Sequence, residues 1–342
     1  MTISIKGAAA ALAISVAAIA PGAHAAGTLN GAGGTAIYPL LSAWAQDYKQ
    51  QTAIAVNYQA IGSGGGIKQI EARTVDFANS DKPLMHADLV KNHLVQFPQT
   101  IISIVPVVHL LGVKPGDLVL DGKTLADIYL GNITKWNDPA IRKLNPKLRL
   151  PDIAIITVHR SDGSGTTFNF TDYLGKVSPA WKTNVGSDTS VSWPGGIGGK
   201  GNAGVAASVA QTIGSIGYVE YAYAQQNKLT YTDMINASGA RVRPYVSAFQ
   251  AAARQADFSR VQDFYLILTN QPGKESWPII AATYMLMRSD YAPDRNRGVL
   301  KFLDWALRSG QPQAEKLDYV PIPAETVKQI EASWTRGLKA WP

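Results

Sequence analysis

The stretch from Ile101 to Leu111 is apolar almost throughout and rich in β-branched residues, and it constrains the fold more than any other part of the chain. A strand with one wet face alternates apolar and polar residues, whereas a strand without that alternation has to be covered on both faces. Ile153 to Val158 reads the same way. The covering layers are legible between such strands as helical spacings: Tyr38, Leu41, Ala45 and Tyr48; Ile67 to Arg73; Phe170, Tyr173, Leu174 and Val177; Val299, Leu303 and Leu307; and Val327, Ile330 and Trp334. Gly310 is expected to stop the fourth of these helices. Further strands are expected at Ile54–Tyr58, in the aromatic segment Ile213–Tyr223 from about Gly217, and at Tyr284–Arg288. Strand and helix therefore alternate through both halves of the chain, which predicts an α/β architecture with mainly parallel sheets. In such folds ligands lie beyond the carboxyl ends of the strands, at loops that lead into helices.

The amino terminus has the three parts of a secretory signal: Lys6, the apolar run Gly7–Ala20, and Ala23-His24-Ala25 after Pro21. The run is shorter than the roughly 20 residues that a membrane span needs, so cleavage after Ala25 and export to the periplasm are expected. Removing 25 residues from 342 leaves 317, enough for two domains. Cysteine is absent, so an exported chain of this size must be held by core packing, and thiolate metal sites and a cysteine nucleophile are excluded. The formal net charge of +7 becomes +6 without Lys6 and favours an anionic ligand. The cations are scattered along the chain, which argues against nucleic acid as a partner.

Three loops have the form of a glycine-rich entry to a helix. Gly31-Ala32-Gly33-Gly34-Thr35-Ala36 precedes the Tyr38 helix, and Gly62-Ser63-Gly64-Gly65-Gly66 precedes Ile67. Arg160-Ser161-Asp162-Gly163-Ser164-Gly165-Thr166-Thr167 follows the strand ending at Val158. The first N–H groups of a helix have no partner within it and lie at the positive end of its dipole, so such an entry is a ready anion site. Taken singly, the first loop reads equally well as a tight turn with a threonine cap. The third adds a guanidinium, which can hold two oxygens of a tetrahedral anion, and the hydroxyls of Ser164 and Thr166. Asp162 is placed to hold Arg160. Three such junctions in one chain make an anion site the better reading.

Asp81, at the end of Asp76-Phe77-Ala78-Asn79-Ser80-Asp81, does not belong with these donors. A carboxylate repels anions and helps only if the anion brings a proton, as phosphate does near neutral pH and sulfate does not. Asp81 reads equally as a turn or helix cap before Pro83.

At these loops the sequence closely resembles the family of substrate-binding proteins of the phosphate-specific ABC transport system. The likeness is carried by Tyr58-Gln59-Ala60-Ile61-Gly62-Ser63, Thr74-Val75-Asp76-Phe77, Ser80-Asp81, Leu120-Asp121-Gly122-Lys123-Thr124-Leu125 and Arg160 through Thr166. It continues through Gly198-Gly199-Lys200-Gly201-Asn202 and Ile216-Gly217-Tyr218-Val219-Glu220-Tyr221-Ala222-Tyr223. The resemblance implies an α/β fold of the two-lobed periplasmic binding protein type (type II), with mixed sheets flanked by helices and the ligand in the interlobe cleft. One lobe would comprise residues 26–101 and 272–342, the other 102–271, after a signal peptide at 1–25.

It also implies phosphate binding by Thr35, the main chain at Ala36, Ser63, Asp81, Arg160, Ser164, Gly165 and Thr166, with Asp162 orienting Arg160. The partners implied are inorganic phosphate and a membrane ABC permease with its ATPase subunits; a monomer, no cofactor and no metal are expected. Two departures stand out: Ala36 occupies a position where the family usually has Phe, with the following Pro displaced to Pro39, and Gly64 replaces a serine.

An exported phosphatase would need similar donors. The chain has no HExxH, no GxSxG and no phosphate loop ending in Lys-Ser or Lys-Thr, since Gly201 follows Lys200. His24, His86, His93, His109 and His159 lack metal-ligand spacing, although His159 adjoins Arg160. No enzymatic activity is expected. Sulfate or molybdate binding is the other alternative, which Asp81 disfavours, whereas arsenate shares phosphate's shape and protonation.

Overall fold

The computed structural model describes residues 27–341, so the expected signal segment and its cleavage point lie outside the described residues. In chain order the strands are β1 (Leu29–Gly33), β2 (Val56–Ala60), β3 (Phe77–Ser80), β4 (Leu94–Val108), β5 (Val119–Asp121), β6 (Ile156–Arg160), β7 (Ile197–Gly199), β8 (Ser215–Glu220), β9 (Thr230–Tyr231), β10 (Asp233–Ile235), β11 (Arg241–Val242) and β12 (Ile280–Arg288). The large sheet has the order β2-β1-β3-β12-β4-β8-β6-β7, with β9 also pairing with β4.

The apolar run seen in the sequence is the carboxyl-terminal part of β4, which begins seven residues earlier, at Leu94, and ends at Val108. A strand of 15 residues is roughly 50 Å long at about 3.3 Å per residue, long enough to serve both lobes. Its segment Leu94–Ser103 runs antiparallel to β12, and Ile104–Val108 runs antiparallel to β8. One lobe is thus built on β1, β2, β3 and β12, the other on β6, β7 and β8, with β4 common to both.

The sheet is mixed, not mainly parallel. The outer pairs β1–β2, β1–β3, β6–β8 and β6–β7 are parallel, while β12 and β4 are antiparallel to their neighbours. An uninterrupted apolar run reports burial on both faces, which a central antiparallel strand under helices satisfies as well as a parallel one. The aromatic segment near Gly217 likewise divides, into β8 and then a helix at Tyr221–Gln226.

Core packing takes the place of disulfides. Trp44, Trp136, Trp181, Trp277 and Trp334 are fully buried, and the indoles of the first four each donate to a backbone carbonyl: Gly310, Gly214, Gly186 and Ile104 at 2.8, 2.8, 2.9 and 2.9 Å. Trp277 meets β4 at the residue where that strand changes partners. Gly310 does not end its helix in a left-handed conformation, because the cap of Pro293–Arg308 is Ser309. A Cβ on Gly310 would stand 2.4 Å from the Trp44 indole nitrogen, so its glycine is there for that approach. Among the described residues no helix is long and apolar enough to cross a membrane.

The helix Ser63–Glu71 lies directly on β1: a Cβ at Gly66 would come within 2.5 Å of the Gly33 Cα and 2.7 Å of the Ala32 carbonyl oxygen. Replacing a helical glycine by alanine gains about 0.5–1 kcal/mol, while overpacking against backbone costs about 1–3 kcal/mol. Gly66→Ala should therefore lower stability by about 1–2 kcal/mol in urea denaturation. An unchanged or raised midpoint would contradict this close approach.

Candidate anion-binding site

Each predicted loop delivers backbone N–H groups at the start of a helix. Gly33 (φ +145°) packs so closely on β3 that a Cβ would lie 2.1 Å from the Asn79 oxygen, and it turns the chain toward Thr35, Ala36 and the helix Tyr38–Thr52. Gly62 (φ +87°) turns it into the helix that begins at Ser63. Ser164 caps the helix Gly165–Val177, its hydroxyl accepting from Thr167 N at 3.0 Å. A fourth entry, which the sequence reading left without a role, is Gly201 (φ +68°) at the start of Gly201–Gln211.

The loops of the two lobes meet directly. Ser63 Oγ accepts from Asp81 N at 3.2 Å in its own lobe and from Gly165 N at 3.1 Å in the other. Gly64 N donates to Gly163 O at 2.9 Å, and Asn169 Nδ2 donates to Asp81 O at 2.7 Å. A Cβ on Gly165 would lie 2.5 Å from Ser63 Oγ, and one on Gly62 would lie 2.4 Å from an Asp162 oxygen. Thr35 Oγ1 accepts from both the backbone N and the side-chain Nδ2 of Asn202, at 3.1 and 2.8 Å. An alcohol oxygen has two lone pairs and one proton. Thr35 and Ser63 have both committed their lone pairs to N–H donors, so each can offer a further partner only its proton.

Arg160 is 1% exposed at its side chain and forms a two-pronged pair with Asp162, Nε to Oδ1 at 2.8 Å and Nη2 to Oδ2 at 2.6 Å. Among the described residues Nη1 reaches only Thr166 Oγ1, at 3.5 Å. Asp162 Oδ1 also accepts from Gly201 N at 3.0 Å. Burial would push the Asp162 carboxyl up, but the Arg160 pair and the Gly201 amide outweigh it and hold the group ionised below the usual carboxylate range. Behind the arginine, Arg160 N donates to Tyr218 OH at 3.2 Å. His159 stands outside this cluster: its ring stacks on Trp193 with centroids 4.8 Å apart and contributes packing on the far side of the strand.

Asp81 is 1% exposed, and its Oδ1 accepts from the Thr283 hydroxyl at 2.7 Å while Oδ2 takes no hydrogen bond among the described residues. Burial pushes its carboxyl up to about 6, against the Thr283 hydrogen bond and the Arg160 charge, which pull it down. The turn ahead of Pro83 is closed by Ser80 instead, whose hydroxyl accepts from Lys82 N at 3.1 Å and donates to Lys82 O at 2.7 Å. Asp81 is therefore not the cap. Thr283 sits beside the register shift between β12 and β4, a bulge that re-aims a side chain.

The hydrogen-bond network thus joins Thr35, Ser63, Asp81, Arg160, Asp162, Ser164, Gly165 and Thr166 into one buried cluster, with Ala36 N–H beside it and unpartnered among the described residues. The sequence reading missed the residues that hold the first loop. Tyr223 OH donates to Thr35 O at 2.8 Å, and Tyr319 OH donates to Ala36 O at 2.7 Å. Asn202 and Tyr223 stand in the segments that carried the family resemblance, but nothing in their spacing marks them. The cluster offers hydroxyl, amide and guanidinium donors and one free acceptor oxygen. It can hold a tetrahedral oxyanion, and among the described residues none of the hydroxyls of Thr35, Ser63, Ser164 and Thr166 is hydrogen-bonded to a base that would make it a nucleophile.

Residues 18–309 match the PBP superfamily domain. Phosphate-binding protein PstS of Xylella fastidiosa is 54% identical over 312 residues, 91% of this chain and 86% of that protein. The protein of the same name from Haemophilus influenzae is 51% identical over 316 residues, 92% of this chain and 94% of its own. Among solved structures, a high-affinity periplasmic phosphate-binding protein (PfluDING) bound with phosphate superposes with a TM-score of 0.71 at 20% identity, over 90% of this chain and 93% of that one, a likeness of two-lobed fold. The chain belongs to the PBP superfamily and, within it, to the family of the phosphate-binding proteins PstS.

Proposed function

We propose that the protein binds inorganic phosphate in the periplasm, between its two lobes, and delivers it unchanged to a membrane ABC permease driven by ATPase subunits. The observation that carries this reading is the balance of the site: many donors and, among the described residues, one carboxylate oxygen that takes no hydrogen bond, Asp81 Oδ2. Phosphate near neutral pH has oxygens for the donors and a proton for the acceptor, whereas sulfate has no such proton. The donors are assigned to Thr35, the Ala36 amide, Ser63, Arg160, Ser164, Gly165 and Thr166, the acceptor to Asp81, and the orientation of Arg160 to Asp162. Arsenate should bind for the same reasons. Residues 26–101 with 272–342, and 102–271, are assigned to the two lobes of a monomer. Calorimetry of ligand-stripped protein with phosphate, sulfate and a phosphate monoester, together with an assay for released phosphate, tests the assignment. Binding of phosphate without sulfate and without hydrolysis is expected; turnover of the ester would overturn it.

Arg160→Ala should weaken phosphate binding more than Thr35→Ala. The first takes the charged partner from the half-buried Asp162, which keeps only the Gly201 amide, beside an anion, at about 3–5 kcal/mol. The second removes one hydroxyl and leaves the Asn202 donors without an acceptor, at about 1–3 kcal/mol. Equal losses in calorimetry would mean that the roles are misassigned.

Selectivity should depend on pH with a definite sign. Above about 6 Asp81 is ionised and faces sulfate with lone pairs only, and a mismatch of this kind reaches discrimination on the order of 10⁴–10⁵. Below that value it carries a proton that it can donate to sulfate, so the preference for phosphate should fall between pH 8 and pH 5. In Asp81→Asn the amide meets either anion, and the ratio should be low and flat with pH. A wild-type ratio that does not change across this range would remove Asp81 from the selectivity mechanism. Mass spectrometry of the native exported protein should show Ala26 as its first residue.

A further inference from the structure

Lys82, next to Asp81 at the end of β3, crosses to the other lobe. Its Nζ lies 2.7 Å from Asp188 Oδ1 and 5.2 Å from the centroid of the Phe168 ring. Asp188 belongs to the loop of residues 186–196, which is tied to the second lobe along its length. Trp181 Nε1 donates to Gly186 O at 2.9 Å, Ser164 N donates to Thr189 O at 2.8 Å, and Trp193 stacks on His159. The loop therefore acts as a strap over the Arg160–Thr167 loop, with its one carboxylate extended to the first lobe. Asp188 is also fixed locally, accepting from Thr189 N at 2.6 Å. Burial opposes its ionisation, but the contacts with Lys82 and Thr189 prevail and hold its carboxyl below the usual range.

We infer that Lys82 and Asp188 form an interlobe clasp, a pair of positioning residues that touch no ligand atom and set how fast the bound anion is released. The inference rests on the phosphate-binding reading above. The two residues stand on different lobes, so the contact is made on closure and must break before the cleft opens. Its contribution therefore falls on the rate of release, and association with the open protein is left nearly unchanged. Lys82 follows Asp81 directly, and the Asp81 main chain is fixed by Ser63 and Asn169, so the clasp also braces the residue that carries the free acceptor. The side chains are 29% and 56% exposed, so the pair is open to salt and its effect is moderate.

The test compares phosphate association and release rates by stopped flow in wild type, Lys82→Ala, Asp188→Asn, the double variant, and the reversed pair Lys82→Asp with Asp188→Lys. Asp188→Asn is the decisive member. Removing a negative charge near an anion site would by itself tighten binding, whereas loss of the clasp speeds release. We expect release about 3–10-fold faster in each single variant, the range of an exposed ion pair with a cation–π contact, and association within a factor of about two of wild type. The double variant should be no faster than Lys82→Ala, the reversed pair should recover much of the loss, and 1 M salt should narrow the differences. Unchanged or slower release in Asp188→Asn, or single effects that multiply in the double variant, would overturn the clasp while wild-type phosphate binding leaves the functional reading standing. Wild-type protein that binds no phosphate would overturn both.

Discussion

The structure turns on the oxygen of Ser63. It accepts one amide from each lobe, Asp81 N and Gly165 N, and this single atom links closure of the cleft to the chemistry of the site. Its second lone pair is filled from the opposite lobe, so both are occupied only while the lobes are together, and its proton is then what it has left to offer. Thr35 is committed in the same way by the two donors of Asn202, which also comes from the opposite lobe. Lobe closure thus turns ambivalent hydroxyls into fixed donors. A site preorganised in this manner discriminates by what it cannot accept, since a ligand without a proton leaves Asp81 facing another oxygen.

Closure to this distance requires backbone without side chains at the contact. Gly62, Gly64, Gly163 and Gly165 face one another so closely that a Cβ on Gly64 would stand 3.2 Å from the Gly163 Cα, and one on Gly165 would fall 2.6 Å from the Asp81 Cβ. The glycines that let helix-terminal amides face an anion also let the lobes meet. The continuous strand β4 beneath them pairs with both lobes, and Trp277 pins it where it passes from one to the other. A chain without cysteine relies on such packing for a precise site.

Much of this was legible from the sequence because it rests on local rules. Glycine-rich entries to helices, the charge of Arg160 with Asp162 two residues on, and the anomalous Asp81 are each visible within a short local stretch of sequence. The limits are equally physical. The antiparallel setting of β4 was not legible, because an apolar run records burial and not direction. The roles of Asn202, Tyr223, Thr283 and Tyr319 were not legible either, because each reaches the site by hydrogen bonding across more than 160 positions of sequence. Ser80, and not Asp81, closes the turn before Pro83, a distinction between adjacent residues that only geometry makes.

Two carboxylates stand within the proposed anion site, and their surroundings suit them to opposite tasks. Asp162 is saturated by Arg160 and Gly201 N and stays ionised as a fixed counter-charge. Asp81 keeps one oxygen free among the described residues, and burial pushes its carboxyl up to about 6. Glu220, a further buried carboxyl, caps Ala222 N and lies 3.3 Å from the Tyr319 hydroxyl, and burial raises it well above the ordinary range. The proposed role of Asp81 is to accept the proton of a protonated tetrahedral anion. The most direct test is a high-resolution crystal structure with phosphate bound. The account predicts a phosphate oxygen about 2.5–2.7 Å from Asp81 Oδ2, the length of a charge-assisted O–H···O⁻ bond, with every other phosphate oxygen facing donors. An anion seated with Asp81 turned away, or held off by a bridging cation, would contradict it.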